Sequence, residues 1–583
     1  MGKPSNSTTS QQELGSPIAI WVVAFTITII EGAIFLLRFS RGVAFSIADP
    51  DDAMRLVQVR ELLGGKGWYD QLTLRINPPA GLYIHWSRLV DGAEAGLIWI
   101  FQQFISNGSA ELVARDVWPL LWILPVTASA LFFARNLGGR FSVVICAALL
   151  LIDILVFRQF RPGRLDHHNI QITFAMIAIA IASLPNLSWR LASLAGFATA
   201  CGLAVGLEAL PVQAIVGISF AIRLLLFNQK EAAISYGLSL AGFTTVLFLI
   251  QTPPSRWLLP FCDALAINLV AGVGILGIGL AGIAASAKGT RGVKGLLLVA
   301  LALLGMGAYL GIHPTCIAGG FADIDPRLQS IWLDTDIEAL PLTKTFFHNP
   351  ALAVRPIAMI IELLLAATII WSAHRRSMPA ILIALLAIVV VPVAIRYMKS
   401  EDYLFWVGLP AFASAAGTAI SRFSNSRLVA VLLPIAIAPA SLAMAALDLQ
   451  PRSVDNNRSP VPVADCASAA SYQRLAHLKP GLVMADIYLG PQILAYTGHT
   501  VLTAPYHRLS TQIVHVYEAQ RAVPDQARSA VRQMHVDYIV DCKASRDVDS
   551  GFFHDLRQGV EFSWLTRLTR PEDAIQVWHV GDS

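Results

Sequence analysis

A run of about 20 apolar residues is long enough to cross the hydrocarbon of a bilayer as a helix, and this chain repeats such runs almost end to end. They fall at 17–38, 116–135, 141–157, 169–184, 190–207, 210–227, 232–251, 262–286, 294–312, 354–373, 379–396, 403–420 and 427–447. Glu208 and Pro211 are the only break between the fifth and the sixth. A shorter stretch at 93–104 reads as an interfacial helix within the first loop. Only 14% of the 583 residues are charged, against about 25% in soluble domains. Thirteen spans therefore predict a polytopic α-helical membrane protein rather than one large soluble core. The net charge of +4 is small and scattered between the runs, which gives no footprint for nucleic acid. The polar segment 1–16 precedes a run too long for a signal-peptide core, and that run is read as a membrane anchor.

Short loops rich in Lys and Arg mark the cytoplasmic side. Arg135 and Arg140, Arg190, Lys230, Arg291 and Lys294, Arg375 and Arg376, and Arg422 and Arg427 occupy one alternating set. The opposite set comprises outer loops at 39–115, 158–168 and 313–353. Arg158, Arg161 and Arg164 break the charge rule on that outer side, which points to an anionic partner. Composition changes near Asp448, where a Pro/Asn/Ser-rich linker begins. Beyond it, strand-like runs around 481–487, 499–504, 536–542 and 574–580, and a two-part helix around Pro524, predict a small α/β extracytoplasmic domain over 448–583. Cys146, Cys201, Cys262 and Cys316 lie in or beside apolar runs and read as packing residues. Cys466 and Cys542 form a disulfide if their domain lies outside the cytoplasm. His499, Tyr506 and His507 either face the active site or, as the plainer reading, are exposed loop residues.

Three acids, Asp49, Asp51 and Asp52, fall within four positions after the first run. Burying unpaired carboxylates costs several kcal/mol each, so the stretch belongs at a water-facing membrane surface. There it caps a helix, holds a divalent cation or supplies a base. Two further clusters share that face: Arg164-Leu165-Asp166-His167-His168, and Asp334-Thr335-Asp336-Ile337-Glu338. Carboxylate and imidazole at Asp166 and His168 suit Mn-like ions, and His85 offers another imidazole. Arg396, at the end of the eleventh run, is either a snorkelling side chain or a bidentate phosphate clamp. A metal site, a basic clamp and apolar walls on one face suit a lipid-linked phosphate.

In this arrangement the chain resembles the GT-C glycosyltransferases, specifically the catalytic subunit of oligosaccharyltransferase and its archaeal and bacterial relatives. Asp49-Pro50 with Arg55 resembles that family's DP…R motif. Asp166-His167-His168 resembles its second acidic motif, and His85 resembles a first-loop histidine of archaeal relatives. Thr335-Asp336-Ile337-Glu338-Ala339-Leu340-Pro341 resembles its long-loop motif, and Arg396 its pyrophosphate-binding arginine. The family's Trp-Trp-Asp stretch is replaced by Met484-Ala485-Asp486-Ile487-Tyr488, so the acceptor is a protein site, another glycan or a lipid. The resemblance implies a membrane domain over 1–447 and a bacterial inner-membrane location with a periplasmic C-terminal domain. It implies an inverting, metal-dependent enzyme using a polyprenyl-linked sugar donor. Asp49, Asp166, His168 and His85 are the expected ligands of Mn or Mg, and Asp49, Asp52 and Glu338 the expected catalytic acids. Arg396 is expected on the donor phosphate, with Asp51, Arg55, His167 and Asp486 in support. A monosaccharide transferase using a polyprenyl monophosphate sugar remains an alternative, and a lipid-linked glycan transporter another, although no inverted repeat is visible.

Overall fold

The computed structural model describes residues 16–286, 289–334, 336, 339–423, 438, 466–545 and 550–581. Most of each predicted apolar run up to residue 420 is helical. In chain order, α1 is Pro17–Phe45, α2 Pro50–Leu63, α3 Arg88–Gln102, α4 Asn107–Leu121, α5 Ile123–Gly138 and α6 Arg140–Ile152. They are followed by α7 (His168–Ala182), α8 (Trp189–Val205), α9 (Leu210–Phe227), α10 (Lys230–Gln251), α11 (Ile267–Ser286) and α12 (Arg291–Ile312). The membrane part continues with α13 (Leu342–His348), α14 (Pro350–His374), α15 (Met378–Arg396) and α16 (Glu401–Phe423). Eight helices are long and apolar enough to cross a bilayer among the described residues, α7 and α8 are shorter apolar helices, and α6 joins a bent segment ending at Phe160. The chain is a multi-pass membrane protein. The predicted run 427–447 lies, except for Ala438, outside the described residues.

Local chemistry explains where helices break. The expected straight span 141–157 instead turns by 71° at Asp153. There the buried Asp153 carboxylate accepts from Arg355 at 2.9 and 3.0 Å, so the backbone leaves the helix where the ion pair forms. The interfacial helix begins at Arg88, earlier than its apolar content suggests. Arg88 and Asp91 in its first turn are buried, and Asp91 pairs with Arg55 at 2.6 Å. Charged residues thus extend the helix inward, while Trp99, Ile100 and Phe104 stay exposed.

The predicted α/β part contains a five-stranded sheet. β3 (Leu482–Ala485) pairs in parallel with β4 (Thr500–Val501) and β5 (Tyr538–Cys542). β7 (Ile575–Val580) lies antiparallel between β5 and β6 (Leu565–Arg567). The short polar β6 carries little apolar signal and was not expected. Pro524 starts the second of two helices, Ser510–Arg521 and Pro524–Gln533, as predicted. Cys466 and Cys542 form a disulfide. Contrary to the packing role expected of them, Cys262 and Cys316 form another; Cys146 and Cys201 are buried thiols.

The first outer loop carries the short ribbon β1 (Leu72–Thr73) and β2 (Leu82–Tyr83), and it covers the edge of the sheet. Val501 donates its N–H to the Arg75 carbonyl at 2.9 Å, and Asn77 donates to the Val501 carbonyl at 2.8 Å. Arg75 also donates to the carbonyls of Thr497 and His499 at 2.6 and 2.8 Å. These bonds set the C-terminal sheet directly on the loop that bears the acidic cluster.

Candidate active site

Asp49 caps α2: its Oδ1 accepts the Asp51 N–H at 2.9 Å, and Pro50 occupies the first helical turn. This places Asp52 one turn away on the buried side of the helix. Asp52 Oδ1 accepts the backbone N–H groups of Leu165 and Asp166 at 2.8 and 2.9 Å. The first outer loop is thereby hydrogen-bonded to the turn before α7. Arg164 completes the junction. Its Nη1 pairs with Asp49 and lies 3.0 Å from Asp52, its Nη2 donates to Gln159 at 3.0 Å, and Asp166 Oδ2 stands 3.9 Å away. Burial pushes the Asp52 carboxyl up to about 7 against the opposing pull of Arg164.

Asp166 is buried between two imidazoles. His167 Nδ1 lies 2.6 Å from its Oδ1 and His168 Nε2 lies 3.1 Å from its Oδ2. Burial alone would raise this carboxyl, but His167, His168 and Arg164 hold it well below the usual range. Among the described residues Oδ2 accepts no hydrogen bond in spite of its neighbours. A carboxylate oxygen left in that state beside an imidazole nitrogen fits a shared cation. Asp166, His167 and His168 each present a donor atom within 4.8 Å of the others. By contrast, both oxygens of Asp49 are engaged by Arg164 and the α2 cap.

Sequence reasoning missed the support behind this group. Glu208, in the break between α8 and α9, lies 3.4 Å from His167 Nε2. It accepts from Gln171 at 2.9 Å, and Tyr403 donates to Gln171 at 2.6 Å. Burial disfavours the His167 charge, yet Asp166 and Glu208 on either side raise its pKa to about 9. Gly206 permits the approach, because a Cβ there would stand 2.6 Å from Glu208 Oε2 and 2.8 Å from Gln171 Nε2. The polar break between two apolar runs was the one signal of this network.

The structure gathers His85 with residues that the sequence did not join to it. His85, Asp263 and His507 form their own group of donors within 4.8 Å, where His85 and His507 face each other at 4.7 Å. Asp263 is held by His507 at 2.7 Å and by both arms of Arg508 at 2.7 Å. His499, Tyr506 and His507 are thus not exposed loop residues. His499 and Tyr506 are buried, and the Tyr506 ring meets Trp86 edge-on at 5.3 Å. The arginines expected to hold an external anion meet the chain's own groups. Arg158 pairs with Glu401 and Asp402, Arg164 binds Asp49 and Asp52, and Arg161 lies over Phe39. Arg55 is fully buried, pairs with Asp91 and stacks on Trp86 at 4.6 Å.

Of the long-loop motif, Thr335, Ile337 and Glu338 lie outside the described residues. Asp336 is described, and Tyr488 donates to it at 3.3 Å while accepting from Trp332 at 2.9 Å. Asp486 caps the turn leading to Tyr488, accepting its N–H at 2.9 Å. The Met484–Tyr488 stretch therefore docks on the long outer loop. Met398 donates its N–H to the Leu340 carbonyl at 3.0 Å, which holds the end of α15 against the same loop. Arg396 there is exposed and stacks over Tyr397 at 4.6 Å.

No family model matches the sequence, and no curated protein matches it. Solved structures do. The chain superposes on the oligosaccharyltransferase of Archaeoglobus fulgidus in its apo form with a TM-score of 0.65 and 14% identity, covering 92% of this chain and 70% of that one. The same archaeal enzyme in complex with an inhibitory peptide and a dolichol-phosphate gives 0.61 at 14% identity, covering 90% and 69%. Its complex with Zn and sulfate gives 0.55 at 13% identity, covering 89% and 68%. The chain has the GT-C membrane fold, in its oligosaccharyltransferase-like form.

Proposed function

We propose that this protein is an inverting glycosyltransferase that moves a glycan from a polyprenyl-linked donor to an acceptor at the outer membrane face. The observation that carries the reading is the meeting of Asp166, His168, Asp52 and Asp49 where the outer loops converge. Asp166 Oδ2 is left without a hydrogen bond among them. Asp166 and His168 would hold a divalent ion such as Mn or Mg, with Asp49 joining them where Arg164 releases it. An ion held there would supply charge to neutralise the departing phosphate. His167, fixed between Asp166 and Glu208, orients the Asp166 carboxylate.

Asp52, hydrogen-bonded to the α7 turn, is placed to position the acceptor and accept its proton as the acceptor attacks the anomeric carbon. Glu338 is assigned to the same task from its motif. Arg396 clamps the donor phosphate at the end of α15, while the lipid chain lies between helices. In this reading residues 1–447 form the catalytic membrane domain and 448–583 a periplasmic domain of a bacterial inner-membrane protein. The two disulfides support an oxidising side for the outer loops. The acceptor is a protein, glycan or lipid, since the stretch around Asp486 has no tryptophan.

The test is transfer from a purified lipid-linked donor by the wild type and by Asp166→Ala in the same detergent. Loss of transfer with unchanged folding and a lost Mn-dependent rise in melting temperature supports the assignment. Full transfer by Asp166→Ala refutes it.

A further inference from the structure

The outer turn between α10 and α11 brings a half-buried arginine, Arg256, against the first outer loop. Its guanidinium lies over the Tyr83 ring at 3.7 Å and over the Phe261 ring at 4.9 Å. A guanidinium stacked on rings keeps the N–H groups at its rim available. Among the described residues Arg256 makes no ion pair, and its side chain donates no hydrogen bond. The neighbouring Asp263 carboxylate is already held by His507 and by both arms of Arg508. Of Arg256, Arg508 and Asp263, one positive charge is therefore left over.

Arg256 lines a cavity of about 40 Å³. Other polar groups in its wall are engaged with one another. The Tyr83 hydroxyl donates to Gln71 at 2.8 Å, Gln71 donates to the Gln251 carbonyl at 2.6 Å, and Arg508 donates to the Tyr83 carbonyl at 2.9 Å. His85 also lines the cavity, and its Nδ1 has no hydrogen-bond partner among the described residues. One wall is shared with the Asp166 group. Gly206 lines the cavity, and a Cβ there would stand 3.1 Å from His167 Cδ2. Trp86 lines it as well, with its ring 6.2 Å from that of His167.

We propose that Arg256 is a specificity-determining residue that selects a sugar bearing a carboxylate, on the donor or on the acceptor of the transfer reaction. A water needs about 10–15 Å³ of such space, so the cavity holds roughly three waters or one carboxylate group. A phosphate is bulkier, and the sugar ring stays at the mouth. The guanidinium edge matches a carboxylate as a two-pronged donor. The two rings hold it in place before the ligand arrives, so little side-chain freedom is lost on binding. A neutral sugar leaves this charge unanswered, which is the basis of the discrimination. The role of the sugar rests on the glycosyltransferase reading, whereas the carboxylate site rests on Arg256 and the cavity alone.

The experiment uses the full chain in detergent, with methyl glucuronide and its neutral counterpart methyl glucoside as probes and binding read by saturation-transfer NMR. The expected result is that the glucuronide binds about tenfold tighter or more. Arg256→Gln should lower its affinity to that of the glucoside and leave the glucoside's own affinity unchanged. Arg256→Lys keeps the charge without the fork and should restore part of the difference; equal melting of the variants and the wild type shows that folding is not the cause. Equal binding of the two probes by the wild type, or equal glucuronide binding by Arg256→Gln, overturns the proposal. Transfer assays then supply polyprenyl-phosphate donors and acceptor glycans, each in acidic and neutral form. A KM raised in Arg256→Gln for the acidic donor alone puts the carboxylate on the donor, and one raised for the acidic acceptor alone puts it on the acceptor. Wild-type transfer with no preference for an acidic sugar on either side overturns the proposal and leaves the glycosyltransferase reading standing. Glucuronide binding through Arg256 without transfer of any sugar supports the carboxylate site and counts against the glycosyltransferase reading alone.

Discussion

Replacing Arg164 by Gln removes the guanidinium shared by Asp49, Asp52 and Asp166 while keeping a polar, uncharged side chain. Asp52 and Asp166 are 5% and 2% exposed, Asp49 is 31% exposed and Arg164 itself 19%. Breaking a fully buried ion pair by deleting one partner destabilises by about 3–5 kcal/mol. Water reaches Asp49 and screens its share, so roughly 2–4 kcal/mol is expected here. The backbone bonds from Leu165 and Asp166 to Asp52 survive the change, which keeps the turn before α7 in place. The assay is thermal unfolding of both proteins in one detergent, first with a chelator and then with Mn(II). In chelator Arg164→Gln should melt several degrees lower. With Mn(II) at about 100 times its dissociation constant, binding to the folded state adds about 2.7 kcal/mol. Because three carboxylates then lack their arginine, the manganese shift should be larger in the variant than in the wild type. Equal melting in chelator would refute the clamp, and an equal or smaller manganese shift would refute the cation site beside it.

Four further outcomes follow from the same geometry. Arg396→Ala should raise KM for the donor by roughly 10-fold or more, the loss of one charge-assisted contact of about 1.5–3 kcal/mol, with acceptor KM unchanged in the same transfer assay. Asp263→Asn should destabilise the contact with His507 and Arg508 by about 3 kcal/mol, read by chemical denaturation. Burial opposes the Asp263 charge, but His507 and Arg508 hold its pKa well below the usual carboxylate range. Its contribution is therefore fully present above about pH 4 and fades only as pH falls below that, so the wild-type advantage should be constant from neutral to mildly acidic pH. Cys466→Ser opens a link across 76 residues and should lower stability by about 4 kcal/mol, measured as a midpoint shift that vanishes when both proteins are reduced. Gly206→Ala should push Glu208 and Gln171 aside, seen as weaker Mn(II) binding with little change in donor KM.

The sequence by itself determined the membrane architecture, because a bilayer makes length and apolar content nearly sufficient to specify a helix. It also located the acidic stretches: unpaired, Asp49 to Asp52 and Asp166 to His168 cannot sit in hydrocarbon, and both lie at helix starts. The strands around Val483, Ile539 and Val577 were legible for the same reason, as short apolar runs between turn residues. What only the tertiary structure decided was pairing. Arg164, Arg158 and Arg55 each find a carboxylate distant in the chain, and nothing local distinguishes such an arginine from one that awaits a ligand. His85 follows the same rule: its first-loop position suggested the Asp166 group, and only packing shows His507 and Asp263 as its neighbours. Cys262 and Cys316 looked like packing residues because each borders an apolar run, and only the approach of two loop ends reveals the bond between them. Periodicity and composition act along the chain, whereas charges and thiols choose partners through space, so the scaffold was readable and the contacts that build the site were not.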